Sequence, residues 1–125
     1  MERTNNRPIT ILLVEDETII RMSSAAMLED VGFSVLEAAD AQDALEALAT
    51  HPEIDVVVTD VQMPGPIDGL QLVEIIAQKY PQVQTLVTSG RTNRDQASNS
   101  GATKYLSKPY SAAAIQSAVA SAFAS

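Results

Sequence analysis

The sequence predicts a doubly wound α/β sandwich, in which helices cover both faces of one five-stranded parallel sheet of strand order 2-1-3-4-5. Three observations lead there. Short β-rich runs alternate strictly with helix-like segments, so each strand is followed by a crossover to a parallel neighbour. The runs Ile9–Val14 and Ile54–Thr59 and the pair Leu86-Val87 are apolar on successive residues, as strands buried on both faces require. The segments between them repeat their apolar residues at the helical period.

Taken in order, residues 1–8 are polar and are expected to form a flexible tail, with the folded domain spanning residues 9–125. The first strand, Ile9–Val14, leads to a helix that places Ile20, Met27, Leu28 and Val31 on one side and stops at Gly32. A second strand over Phe33–Glu37 precedes a helix capped by Asp40, with Ala41, Ala44, Leu45 and Leu48 at helical spacing ahead of Pro52. After the third strand, Ile54–Thr59, a helix follows Asp68-Gly69, carries Leu72, Val73, Ile76 and Tyr80, and ends at Pro81. The fourth strand is expected over Gln84–Thr88. Arg91–Ser100 comes next, and Ala97 is its only apolar residue, so it has no stripe to bury and is predicted to be short or irregular. A fifth strand, Lys104–Leu106, and a helix carrying Ile115, Ala118, Val119, Ala122 and Phe123 complete the pattern.

Composition narrows the function classes. A chain of 125 residues with 46% hydrophobic content suits one domain with one buried core. The net charge of −8 repels phosphate backbones and anionic lipid, which argues against direct nucleic-acid or membrane-surface binding. Cysteine is absent, which removes disulfides, thiolate catalysis and thiolate metal sites. Runs such as Ile11-Leu12-Leu13-Val14 fall far short of the roughly 20 apolar residues of a membrane span, and the opening residues lack the pattern of a signal peptide. A cytoplasmic location is expected.

The chemistry collects where the strands end. Glu15-Asp16-Glu17 follows the first strand, Asp60 the third, Ser89-Gly90 the fourth and Lys108-Pro109 the fifth. In the order 2-1-3-4-5 the third strand lies between the first and fourth, so the Asp16, Asp60 and Ser89 ends are neighbours and Lys108 can reach in. The second strand ends in Ala38-Ala39 and brings no chemistry. Carboxylates brought together repel unless a cation neutralises them. Mg²⁺ suits such a cluster, because it takes one or two carboxylates and keeps several waters. Asp16 and Asp60 are assigned as direct ligands, Glu15 as a ligand through water, and the backbone carbonyl of Gln62 as a third protein ligand. With a phosphoryl group held in line, Asp60 is a competent nucleophile, and Lys108 and the Ser89 hydroxyl would stabilise the phosphoryl charge.

Glu15-Asp16, Asp60 followed by Met63-Pro64, Asp68-Gly69, Ser89-Gly90, Tyr105 and Lys108-Pro109 form an ordered series that resembles the signature of response-regulator receiver domains, from Ile9 to the last helix. The resemblance implies a flavodoxin-like fold of the stand-alone receiver type. It also implies phosphorylation of Asp60 by a histidine kinase or a histidine phosphotransfer protein, Mg²⁺ as cofactor, slow self-dephosphorylation and a cis Lys108-Pro109 peptide. Ser89 would move toward the phosphoryl group while Tyr105 turns inward, changing a protein-interaction surface. Such a module catalyses only its own phosphorylation and dephosphorylation. The sequence departs from the pattern in places. Two residues, Gly65-Pro66, stand where the family usually has one between the Met-Pro pair and the apolar residue before Asp-Gly; Tyr110 replaces a frequent Phe; and Arg91–Ser100 is unusually polar for an output helix.

Other readings are weaker. Glu15, Asp16 and Glu17 alone would serve as a solvated acidic start to a helix, Ser89-Gly90 alone reads as a turn, and Tyr105 suits core packing as well as a switch. His51, the single histidine, stands at a helix C-terminus, where a favourable cation or a neutral surface group is expected. A Mg²⁺-dependent phosphohydrolase with a strand-end Asp nucleophile needs a second Asp two residues on, and that position is Gln62. A flavin binder would need a phosphate loop after the first strand, where Glu15-Asp16-Glu17 repels phosphate. A receiver module from a hybrid histidine kinase fits the same residues.

Overall fold

The computed structural model describes residues 7–89, 104–107 and 110–124. Its elements run β1 (Thr10–Val14), α1 (Thr18–Asp30), β2 (Ser34–Ala38), α2 (Ala41–Thr50), β3 (Val56–Asp60), α3 (Gly69–Lys79), β4 (Gln84–Ser89), β5 (Lys104–Ser107) and α4 (Ala112–Ala124). The sheet is parallel, in the order β2-β1-β3-β4-β5, with the short β5 at its edge. Residues 90–103, including the Arg91–Ser100 stretch expected to be irregular, lie outside the described residues.

Side-chain alternation along the strands divides the core in two. Leu12, Val14 and Val57 pack against α2 and α3 through Ala44, Leu48, Leu72 and Ile76. On the other face Ile11, Leu13, Val56, Val58 and Leu86 pack against α1 and α4 through Ala25, Leu28, Ile115 and Val119. This is why Ile11 to Val14 of β1 and Val56 to Val58 of β3 are apolar at successive positions. Each fully buried aliphatic side chain contributes roughly 1.5–3 kcal/mol, so both faces of these strands are strongly specified.

The capping signals act locally as their chemistry predicts. The Asp40 carboxylate accepts the Asp43 amide at 2.8 Å at the start of α2. Asp68 and Gln71 form a reciprocal capping box at the start of α3, where Asp68 accepts the Gln71 amide at 2.8 Å and the Gln71 side chain accepts the Asp68 amide at 2.9 Å. Gly32, with φ of 105°, ends the α1 turn in the left-handed region.

Two expectations are corrected. Ile20 and Val31 do not belong to the buried stripe of α1, because they are 40% and 37% exposed. The face turned inward is Arg21, Ser24, Ala25, Met27 and Leu28, of which Met27 and Leu28 were expected, and Arg21 takes its place there because its guanidinium finds partners. The ends of β3 and β4 also extend one residue further than expected, so Asp60 and Ser89 close their strands instead of following them. At the other end of the sheet Arg7, assigned by the sequence to the tail, pairs through both guanidinium nitrogens with the Asp55 carboxylate at 3.0 Å, and Asp55 also accepts the Thr10 amide at 2.9 Å.

Candidate functional site

The carboxyl ends of β1 and β3 set the site. Val14 of β1 is in register with Thr59 of β3, so the next residues, Glu15 and Asp60, come side by side on strands about 4.8 Å apart. Glu15 continues the ladder by donating its amide to the Ala38 carbonyl at 3.0 Å. By strand alternation, Glu15 and Asp60 face the α1 and α4 side of the sheet.

Glu15 is only 5% exposed, although it is acidic and lies outside a regular element. Its carboxylate accepts the Glu17 amide at 3.2 Å, at the start of α1. Asp16, next to it, is exposed. The turn is fixed from α1 by Arg21, whose Nη1 donates to the Glu15 carbonyl at 2.8 Å and whose Nε donates to Glu37 of β2 at 3.2 Å. Glu37 and Arg21 were not found by sequence reading, which assigned no chemistry to the end of β2. Their only signal was an Arg on the inward face of an otherwise apolar-facing helix.

Asp60 is half-buried and is held through its backbone. The Thr59 hydroxyl, in a residue with no exposed surface, donates to the Asp60 carbonyl at 3.1 Å. Asp60 is in register with Thr88, whose buried hydroxyl reaches the Thr59 carbonyl at 3.4 Å, and Val61 donates its amide to the Thr88 carbonyl at 3.0 Å. Gly69, the first residue of α3, donates to the Val61 carbonyl at 2.9 Å. Beneath this point Val61, Val73 and Val87 form a small separate cluster with Leu70, tying the ends of β3 and β4 to α3.

The loop from Val61 to Asp68 carries the remaining marks. Gln62, whose carbonyl was assigned to the cation, is exposed directly after it. Met63 and Ile67 are half-buried against the α2 and α3 core. Pro64, Gly65 and Pro66 between them are exposed, and Gly65 adopts φ of 97° with nothing within 4 Å of where a β-carbon would stand. The loop thus bulges outward at Gly65 between two half-buried apolar anchors, Met63 and Ile67.

Ser89 ends β4 opposite Ser107 of β5, and Tyr105 stands opposite Val87. The Ser89 and Tyr105 side chains, and Gly90, Lys108 and Pro109 entirely, lie outside the described residues. Tyr110 is half-buried against the α1 and α4 core, the environment a Phe there would also fill. His51 lies at the strand-start end of the sheet, with Nδ1 3.1 Å from the Glu53 carboxylate. A backbone hydrogen bond, and then that histidine, hold Glu53 below the usual carboxylate range.

The donor set suits a hard divalent cation. Among the described residues no group of three or more His, Cys, Asp or Glu side chains converges as a cage. Glu15 and Asp60 at adjacent strand ends, with Asp16 and Gln62 exposed beside them, suit Mg²⁺, which retains several waters, better than a metal enclosed by protein.

The response regulator receiver domain family profile matches residues 11–120. The chain belongs to this family. Its receiver is the phosphoryl-accepting module of two-component signalling, and family members generally use Mg²⁺ and interact with histidine kinases. The chain is 37% identical over 106 residues to a putative NtrX-like response regulator of Rickettsia bellii, covering 82% of this chain and 22% of that protein. It is 39% identical over 107 residues to the transcriptional regulatory protein PdtaR of Mycobacterium tuberculosis, covering 83% of this chain and 51% of that protein. A receiver domain structure from Clostridium thermocellum superposes with a TM-score of 0.85 at 30% identity, covering 91% of this chain and 93% of that one. The chain thus spans between about a fifth and a half of the length of these two curated relatives. Among the described residues no helix is long and apolar enough to cross a membrane.

Proposed function

We propose that this receiver takes a phosphoryl group on Asp60 from a phosphohistidine of a kinase or phosphotransfer protein, and that the modified domain signals through protein contacts. The observation that carries this is the position of Asp60, the last residue of β3, beside the buried Glu15 and clamped through its backbone by β4 and α3. A side-chain carboxylate oxygen of Asp60 attacks phosphorus, the phosphorus–nitrogen bond of the donor breaks, and an acyl phosphate forms with the imidazole as leaving group. Glu15, Asp16, Asp60 and the Gln62 carbonyl would hold Mg²⁺, which supplies charge neutralisation for phosphoryl oxygens. Lys108 and Ser89 are assigned to the remaining phosphoryl charge, and Ser89 and Tyr105 to the switch. The domain would turn over no separate substrate.

The surface around this end suits a protein donor. Ile19, Ile20 and Met22 of α1 are 79%, 40% and 59% exposed, a run of apolar side chains beside the acidic turn. The same site residues would serve a receiver inside a hybrid histidine kinase. Incubation with phosphorylated histidine kinases and Mg²⁺ tests the proposal. Transfer of label to the wild type, lost in Asp60→Asn and on chelation, is the expected result; equal labelling of Asp60→Asn overturns it.

A further inference from the structure

Gly69 does something that its backbone angles do not require. Its φ lies outside the left-handed region, so the turn into α3 would accept other residues on conformational grounds. What excludes them is space. A β-carbon on Gly69 would run into the carbonyl oxygen of Asp60, stand 2.8 Å from the Asp60 carbonyl carbon and 3.0 Å from the Val61 α-carbon. All three are backbone atoms, so no side chain can rotate away to make room. By contrast, a β-carbon at Gly32 or Gly65 meets nothing within 4 Å.

We propose that Gly69 is a positioning residue for phosphoryl transfer: the bare α-carbon lets the first turn of α3 seat directly on the Asp60 carbonyl, which fixes where the Asp60 carboxylate and the Gln62 carbonyl stand. The clamp has three sides. Thr59 donates its hydroxyl to the Asp60 carbonyl from within β3 at 3.1 Å. Val61 is tied to Thr88 of β4 at 3.0 Å, and Gly69 itself donates to the Val61 carbonyl at 2.9 Å. The Asp68 and Gln71 capping box holds the start of α3 in place, so the seat is fixed from the helix as well as from the sheet. A methyl group at residue 69 has to push the Asp60–Val61 peptide or the whole helix start away. Displacement of a reacting group by about 1 Å costs on the order of 100-fold in rate. The inference rests on the reading of Asp60 as acceptor and assigns Gly69 no contact with the phosphoryl group.

The test compares wild type, Gly69→Ala and Gly32→Ala for Mg²⁺-dependent phosphorylation by acetyl phosphate, followed by intact mass well below each melting temperature. Gly32→Ala strains a residue with φ of 105° at the far end of the α1 turn, and so controls for lost stability alone. Gly69→Ala is expected to be roughly 10- to 100-fold slower at saturating acetyl phosphate and Mg²⁺, with Gly32→Ala at the wild-type rate. A purely structural role for Gly69 would leave both folded variants at that rate, and that result overturns the proposal. Where Gly69→Ala does not fold, Asp68→Ala loosens the same seat from the capping side: slowed phosphorylation supports the proposal and an unchanged rate overturns it. A wild type that takes no phosphoryl group at all, or an Asp60→Asn that takes it as fast, overturns the acceptor reading and this inference together.

Discussion

Replacing Arg21 by Ala tests how the acidic turn is held. The side chain is 16% exposed and makes two contacts of different worth. Its Nη1 bond to the Glu15 carbonyl, at 2.8 Å in a partly buried setting, is a hydrogen bond from a charged donor, a class worth about 1.5–3 kcal/mol. Its Nε contact with Glu37, at 3.2 Å, involves a carboxylate 41% exposed, so solvent screening limits it to about 0.2–1 kcal/mol. Together these give a loss of about 2 kcal/mol or somewhat more. Most of it should persist in high salt, because the larger contact is to a neutral carbonyl. Urea unfolding at low and high salt reads this directly, as a midpoint lower by about 1 M at an ordinary urea dependence. Arg21→Lys should recover part of the loss, since one ammonium cannot serve two partners with the guanidinium geometry. A loss below about 0.5 kcal/mol, or one that disappears with salt, would refute the view that the carbonyl contact anchors the turn.

Three further outcomes follow from the geometry. Mg²⁺ at a hundredfold excess over its Kd should stabilise the wild type by roughly 2.7 kcal/mol, read as a rise in melting temperature, and Asp16→Ala should lose most of that rise. Thr59→Val removes the hydroxyl that donates to the Asp60 carbonyl and should lower stability by about 1 kcal/mol in urea unfolding, with the fold retained. Glu53 is held below its ordinary value of 4.5, so it contributes stability above that pH that is lost as pH falls through its folded value; Glu53→Gln should flatten that part of an acid-unfolding curve.

Much of the architecture was legible because burial writes itself into strand composition. Ile11 to Val14 and Val56 to Val58 are apolar without alternation, and the structure covers both of their faces. The cap at Asp40 was readable for a similar reason, since it satisfies a backbone amide within three residues, whereas at Asp68 only the helix start was read and the reciprocal box with Gln71 was not. Contacts made across the fold were not readable. Arg21 occupies an inward position because the Glu15 carbonyl and Glu37 meet it there, sixteen residues from Glu37 in the chain. Ile20, the apolar choice for that stripe, faces solvent instead. The role of Gly69 was hidden too, because Asp-Gly reads as turn chemistry, whereas the constraint is the Asp60 backbone lying against it. Of the strand-end cluster, Glu15 and Asp60 are brought together by register, and Asp16 lies exposed beside them.

The proposed mechanism puts the phosphoryl group on one carboxylate at the end of β3. Reduction of the phosphorylated protein with borohydride converts an acyl phosphate of aspartate to homoserine, and peptide mass mapping then identifies the residue. Homoserine at residue 60 alone, dependent on Mg²⁺ and on prior phosphorylation, is the expected result. Homoserine at residue 16 or another aspartate with Asp60 unmodified, or a phosphoryl group on a residue other than aspartate, would contradict it.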